Sequence, residues 1–231
     1  MGFLIVAAVK KELDLLLSEF RARPEGRTGG CTSYVGKAGD YSLRFGVTGV
    51  GLASACLALG GLLSLEIPEA IIIVGSAGAL PGSGLEAGDV VVSRLEILAE
   101  AGVVVGPGMG DTELLGLSGL EQEIALDQGL GADLHAAAGR VGPVVHGRVL
   151  TVVGVSANQD QARARARRFR AVAENMEGYA VALAGRDLGI RTAEVRSISN
   201  RAGDRDKNRW DLGTANHRSQ SVVLEYLRGC L

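Results

Sequence analysis

A chain of 231 residues is long enough to bury a sizeable core and is read as one domain over residues 1–231. Hydrophobic residues make up 47% and charged residues 22%, which excludes a disordered or fibrous chain. A net charge of -2 gives no sign of a general nucleic-acid or anionic-membrane surface, and Cys31, Cys56 and Cys230 lie too far apart for a zinc site.

The elements follow in chain order. FLIVAAV (3–9) reads as a strand, followed by the amphipathic ELDLLLSEF. Residues 22–33 read as a loop. The strand YSLRFGV (41–47) leads through Thr48-Gly49-Val50-Gly51 into the apolar helix LASACLALGGLLSL, which suits either the core or a subunit interface. AIIIVGSAGAL (70–80), DVVVSRLEIL (89–98), GRVLTVVGV (147–155) and TAEVRSIS (192–199) are continuous apolar runs, the mark of strands covered on both faces. Residues 104–118 read as a loop. Helices are predicted over 119–139, 160–170, 177–188 and 214–229, so strands and helices alternate around a parallel or mixed sheet. Arg163, Arg165, Arg167, Arg168 and Arg170 read as a solvated helix face, with a phosphate or partner site as the other reading. No run reaches transmembrane length free of charge, and the start lacks a basic leader. A cytoplasmic protein with reduced thiols and no membrane partner is expected.

Ligands of open α/β sheets gather at the carboxyl ends of strands, and four polar features fall there. Glu12 either complements a helix dipole or works chemically. Gly75-Ser76-Ala77-Gly78 is either a tight turn or a backbone cradle for a ligand. Asn175-Met176-Glu177 sets a carboxylate against the apolar stretch AVALA. That carboxylate either faces water at a helix start or accepts both hydroxyls of a vicinal diol. Arg196 through Asn200 ends a strand in an amide. Asn200 is either an Asx-turn residue or a reader of a purine edge with one donor and one acceptor.

Taken together, these pieces resemble the nucleoside phosphorylase and nucleosidase superfamily. Within it the chain is similar to the branch of 5'-methylthioadenosine/S-adenosylhomocysteine nucleosidases and futalosine hydrolases. The resemblance rests on A-A-V-K-K-E, G-V-G-L-A-S-A, I-V-G-S-A-G-A-L-P-G, G-D-V-V-V-S, N-M-E-G-Y-A and R-S-I-S-N in that order. It implies an α/β fold, a three-layer α/β/α sandwich around a mixed, twisted central sheet. It implies a small-molecule nucleoside substrate, no metal or organic cofactor, no nucleic acid, and a homo-oligomer, often a dimer.

By the same resemblance Glu12 activates the attacking water, and Ser76, Ala77 and Gly78 lie against sugar and base. Met176 and Glu177 bind the ribose, and Arg196 belongs to the substrate-binding set. The methylthioadenosine enzymes carry an Asp where Asn200 stands. The tail Asn200, Gly203, Arg205, Asp206, Trp210 looks like the futalosine hydrolase branch, whose substrate carries the 6-oxopurine hypoxanthine and belongs to menaquinone biosynthesis. Asn200 cannot itself deliver a proton to N7, so Asp206 or Asp204 is the candidate acid. Arg201, Arg205, Lys207 or Arg209 is the candidate cation for the carboxylate at the substrate's 5' side, with Trp210 stacking on its ring. Local pairing of Arg205 with Asp204 or Asp206 is the other reading. Three alternatives stay open: a nucleosidase for methylthioadenosine, S-adenosylhomocysteine or 6-amino-6-deoxyfutalosine; a phosphorylase, with Arg44 as its cation; and a non-catalytic nucleoside binder.

Overall fold

The computed structural model describes residues 2–106, 108–116 and 118–230. The first apolar run forms β1 (Gly2–Ala7), and a 3-10 turn over Lys10–Glu12 leads into α1 (Asp14–Glu19). An antiparallel hairpin of β2 (Arg23–Thr28) and β3 (Cys31–Ala38) precedes β4 (Tyr41–Val47). Next come α2 (Leu52–Leu65), β5 (Ala70–Ala79) and β6 (Val90–Leu98). A separate small pair, β7 (Val103–Gly106) and β8 (Met109–Asp111), stands off the main sheet. β9 (Glu123–Ala125), α3 (Gln128–Val141), β10 (Val144–Thr151) and α4 (Gln159–Phe169) follow. The chain ends with β11 (Ala173–Asn175), α5 (Gly178–Leu188), β12 (Arg191–Arg201) and α6 (Leu212–Gly229).

The expected three layers and mixed sheet are present. The sheet runs β11-β10-β6-β12-β5-β1-β4-β3-β2, with β9 added on β6. Its central strands are buried along most of their length because helices cover both faces; β1 and the first half of β5 are wholly apolar. Ile72 and Val74 of β5 pack with Leu134 of α3 and Val223 of α6, while Ile71 and Ile73 pack with Leu59 of α2 and Val181 of α5. β11 pairs with β10 on one side and, antiparallel, with β5 on the other, so β5, β12, β6, β10 and β11 close into a ring. That closure brings the residues after β11 to the carboxyl half of β5.

The structure corrects several local expectations. Residues 22–33 are not a loop: Thr28 pairs with Cys31 across Gly29 and Gly30, both at positive φ, which makes a two-residue Gly-Gly hairpin. A Cβ on Gly29 would lie 2.5 Å from the Leu57 carbonyl, so the hairpin also needs glycine to dock on α2. Within 104–118, part of the stretch pairs as β7 and β8; Pro107 and Leu117 lie outside the described residues. The predicted helix 119–139 starts late. Residues Glu123–Ala125 add a strand to β6, and Asp127 caps α3 by accepting from the Leu130 N–H. α2 is partly core and partly surface: Ala58 and Leu62 are buried, Leu57 and Leu65 exposed.

The arginine run is not wholly a solvated face. Arg165 is 0% exposed, and all five of its N–H donors are used. They reach Glu100 at 2.7 Å, Glu174 at 3.2 Å, Ser156 Oγ at 3.1 Å, and the carbonyls of Gly154 at 2.9 Å and Gly108 at 3.2 Å. This guanidinium ties the 154–156 loop to β11, one wall of the cavity described below. Truncating one partner of a buried ion pair leaves an uncompensated charge, so Arg165→Ala is expected to lower unfolding free energy by about 3–5 kcal/mol. Urea denaturation measures this; a loss under about 1 kcal/mol would place the ion cluster outside the stability of the fold.

Candidate active site

The carboxyl ends of β1, β5 and β12 converge with the end of β11 on a cavity of about 480 Å³. Glu12 reaches it from the 3-10 turn after β1. Its Oε1 accepts from the Ser76 N–H at 2.9 Å and the Ser76 hydroxyl at 3.2 Å, and its Oε2 accepts from the Val9 N–H at 3.3 Å. The carboxylate is therefore oriented by backbone while one edge faces the cavity. Gly75 is required beneath it, because a Cβ there would stand 2.8 Å from both Glu12 Oε1 and an Arg196 guanidinium nitrogen.

Glu177 occupies the position before α5, with its main chain held by Asn175 Oδ1, which accepts from the Glu177 N–H at 2.8 Å and the Gly178 N–H at 2.7 Å. Its Oε1 accepts from the Gly51 N–H at 2.9 Å, and its Oε2 lies 3.5 Å from Arg196. Burial pushes the Glu177 carboxyl above its usual range, and Arg196 opposes that only in part. Arg196 is 1% exposed. It donates to Glu194 at 2.7 Å, to Asn175 at 3.3 Å and to the Ser76 carbonyl at 3.5 Å. Burial works against its charge, but Glu194, Glu177 and Glu12 outweigh it and hold the guanidinium protonated. Arg196 therefore borders the cavity as a strut between Glu12 and Glu177.

Asn200 reaches the cavity through a bulge. β12 and β5 keep register up to Ile198 opposite Ala77; Asn200 then faces Gly78, and Ser199 is the extra residue. The Asn200 Oδ1 accepts from the Ser199 hydroxyl at 2.8 Å, and its Nδ2 donates to the Arg201 carbonyl at 3.0 Å. Among the described residues one lone pair and one N–H of the amide remain unspent.

Ser76, Ala77, Gly78, Met176, Glu177, Arg196, Arg205 and Trp210 line this cavity, whereas the other candidate cations Arg201, Lys207 and Arg209 do not. The Arg205 guanidinium stacks 4.9 Å above the Trp210 ring, whose Nε1 donates to the Asp204 carbonyl at 3.1 Å. Local pairing of Arg205 is not what forms, because Arg209 takes both Asp204 and Asp206. Among the described residues no carboxylate pairs with Arg205. Asp206, expected as the acid, does not line the cavity: it caps the 3-10 turn over Lys207–Arg209 by accepting from the Asn208 N–H at 3.1 Å. Asp204 is held below the usual carboxylate range, first by the Asp206 N–H and then by Arg209.

Sequence reasoning passed over Lys11, Glu174, Asn175 as an orienting amide, Ser199 and Asn216, all of which line the cavity. Asn175 stood inside the N-M-E motif, and its role becomes visible only once the helix start folds onto it. Arg44 lies elsewhere. It pairs across from Leu4 in mid-strand, held at 2.9 Å by Glu25 and 3.0 Å by Glu66, beside a different cavity at the other end of the sheet. No group of three potential metal-ligating side chains occurs among the described residues. Nor is any helix among them long and apolar enough to cross a membrane.

Residues 3–228 match the family model described as the phosphorylase superfamily. A futalosine hydrolase of Thermus thermophilus is 38% identical over 165 residues, 71% of each chain. A futalosine hydrolase of Acidothermus cellulolyticus is 33% identical over 221 residues, 93% of this chain and 86% of that one. The solved structure of an S-adenosylhomocysteine nucleosidase from Streptococcus pyogenes, in complex with 5-methylthiotubericidin, aligns with a TM-score of 0.86 at 26% identity. It covers 100% of this chain and 98% of its own.

A carboxyl at this position can accept both hydroxyls of a vicinal diol only when ionised, and burial raises the folded pKa of Glu177. kcat/KM therefore falls as pH drops through a value above the ordinary 4.5 of a glutamate, earlier than for an exposed carboxyl. A pH–rate profile measures this; an acid limb centred at or below 4.5 contradicts it.

Proposed function

The chain belongs to the phosphorylase superfamily, in which it is a hydrolase of N-glycosyl bonds, and we propose that the bond it cuts joins hypoxanthine to the ribose of futalosine. The carrying observation is Asn200: a neutral amide, aimed by the Ser199 bulge, with one acceptor and one donor unspent. A departing 6-oxopurine protonated at N7 presents one donor and one acceptor in return. A 6-aminopurine presents a donor at both places and leaves the Asn200 N–H facing another N–H. Unpaired polar groups of that kind are what discriminate most strongly between close analogues.

The reaction follows from the arrangement. Glu12 orients water below the anomeric carbon and takes its proton. Glu177 holds the 2'- and 3'-hydroxyls, and its negative charge lies beside the sugar as that becomes cationic. Arg196 keeps these two carboxylates apart and aimed. Asn200 stabilises the charge that develops on the purine. Asn200 is only half-buried, so solvent beside it carries the proton to N7 in place of Asp204 or Asp206. Water rather than phosphate is taken as the nucleophile, because the cation beside Glu12, Arg196, is engaged by Glu194, Asn175, Ser76 and Glu177, and Arg44 lies beside a different cavity. The 5' carboxylate of futalosine meets Arg205, and its ring meets Trp210.

A second reading is supported by the apolar wall of Val9, Val50, Met176 and Leu212, which also suits the thioether of methylthioadenosine or S-adenosylhomocysteine. It leaves Arg205 without a ligand. The exposed Leu57 and Leu65 of α2 suit the homo-oligomer that belongs with either reading.

Offered futalosine, its 6-amino analogue, inosine and methylthioadenosine together in phosphate-free buffer, the enzyme is expected to release hypoxanthine from futalosine first. Asn200→Asp is expected to move the preference toward the 6-amino analogue by about tenfold or more, the equivalent of one hydrogen bond to a charged group. Equal release of adenine and hypoxanthine by the wild type sinks the futalosine reading. Arg205→Ala is expected to raise KM for futalosine about tenfold while leaving kcat/KM for inosine unchanged. Steady-state kinetics on the two substrates separate these outcomes.

A further inference from the structure

Behind Arg196 lie two carboxyl groups that touch no part of the cavity. Glu96 of β6 and Glu194 of β12 are each 0% exposed. They meet over the first residue of α5: a Cβ on Gly178 would stand 2.5 Å from Glu194 Oε1 and 2.6 Å from the Glu96 carboxyl carbon. Glu194 Oε1 accepts from Arg196 Nε at 2.7 Å, while Glu194 Oε2, also buried, receives no donor among the described residues. Glu96 accepts from the Thr151 hydroxyl at 2.6 Å and from Asn175 Nδ2 at 3.2 Å. Four buried carboxyls, Glu12, Glu96, Glu177 and Glu194, surround the single guanidinium of Arg196. Two carboxylates side by side without solvent do not both stay ionised.

We propose that Glu96 and Glu194 share one proton, carried by Glu96 and donated to Glu194 Oε2, and that this acid–carboxylate pair is the positioning device for Arg196 and Glu177. Glu194, as the ionised member, anchors the Nε edge of Arg196. Glu96 takes the amide N–H of Asn175, which fixes the amide so that its oxygen faces the N–H groups of Glu177 and Gly178 and the far nitrogen of Arg196. Thr151 completes the set, donating to Glu96 and accepting from the Tyr179 N–H at 2.7 Å. The guanidinium is then held at both ends, and its remaining nitrogen is left between Ser76 and Glu177. Burial pushes Glu96 well above the usual carboxyl range, and the adjacent charge of Glu194 pushes the same way.

The positioning half of this inference rests on the hydrolase reading; the shared proton does not. Infrared difference spectroscopy of wild type against Glu96→Gln tests the proton directly. A protonated-carboxyl C=O stretch is expected near neutral pH in the wild type and absent from the variant. Kinetics on the nucleoside that the wild type turns over test the positioning. Glu96→Ala is expected to lower kcat about 100-fold with little change in KM, the scale of an active-site misplacement. Glu96→Gln, the uncharged isostere, restores kcat to within about tenfold of wild type, as a neutral group in that place requires. Glu194→Gln gives no such rescue over Glu194→Ala, because the charge on Arg196 is what Glu194 answers. A missing carboxyl band overturns the shared proton. Glu96→Gln behaving no better than Glu96→Ala overturns the positioning role. Failure of the wild type to release a base from any nucleoside sinks the hydrolase reading and, with it, the positioning role, while the carboxyl band still decides the shared proton.

Discussion

A guanidinium sealed from water needs its counter-charges within reach, and the site is organised around that requirement at Arg196. Moving such an ion out of water costs several kcal/mol, offset only when every donor is met and opposite charge is close. Here the offset comes from Glu194 behind, Glu177 in front and Asn175 beside it. The result is a rigid spacer. Glu12 and Glu177 would repel across the cavity, and the positive charge of Arg196 beside both offsets that repulsion. Gly75 is the backbone's concession to this crowding, and Gly178 makes the same concession one layer deeper.

The fold was largely legible because its core strands advertise themselves. AIIIVGSAGA is apolar on both faces, which only a doubly covered strand explains, whereas the run ending at Asn200 is buried on both faces although it carries Glu194 and Arg196. The short strands were not legible. β9 and β11 have three residues each and exist because longer neighbours offer them an edge, a tertiary cause that no local pattern carries. The β2–β3 hairpin hid behind charged residues and a Gly-Gly pair that read as a loop, although that pair is also the signature of a tight turn.

At the site, the motif residues that end strands lie where the sequence puts them, since a strand end fixes where its side chains go. Asp206 does not, because the loop that carries it obeys local rules: Arg209 and the 3-10 turn claim its carboxylate before the cavity can. Arg165 departs from its sequence pattern for the opposite reason. Its neighbours in sequence are solvated, and only the distant Glu100 and Glu174 reveal that this one side chain turns inward. Charge patterns report helix faces well and single buried ions poorly.

The closed ring of β5, β12, β6, β10 and β11 has a mechanical consequence. A floor whose strands are hydrogen-bonded all the way round has no free edge along which to splay, so it cannot hinge open to admit a ligand. The stretch after Thr151 is itself fastened to β11 through Arg165, Ser156 and Glu174, which leaves the polar loop between Asn200 and α6 as the part of the rim outside this bracing. The chain thus sets an unyielding base plate beneath a rim whose loop after Asn200 carries the cavity's Arg205 and Trp210.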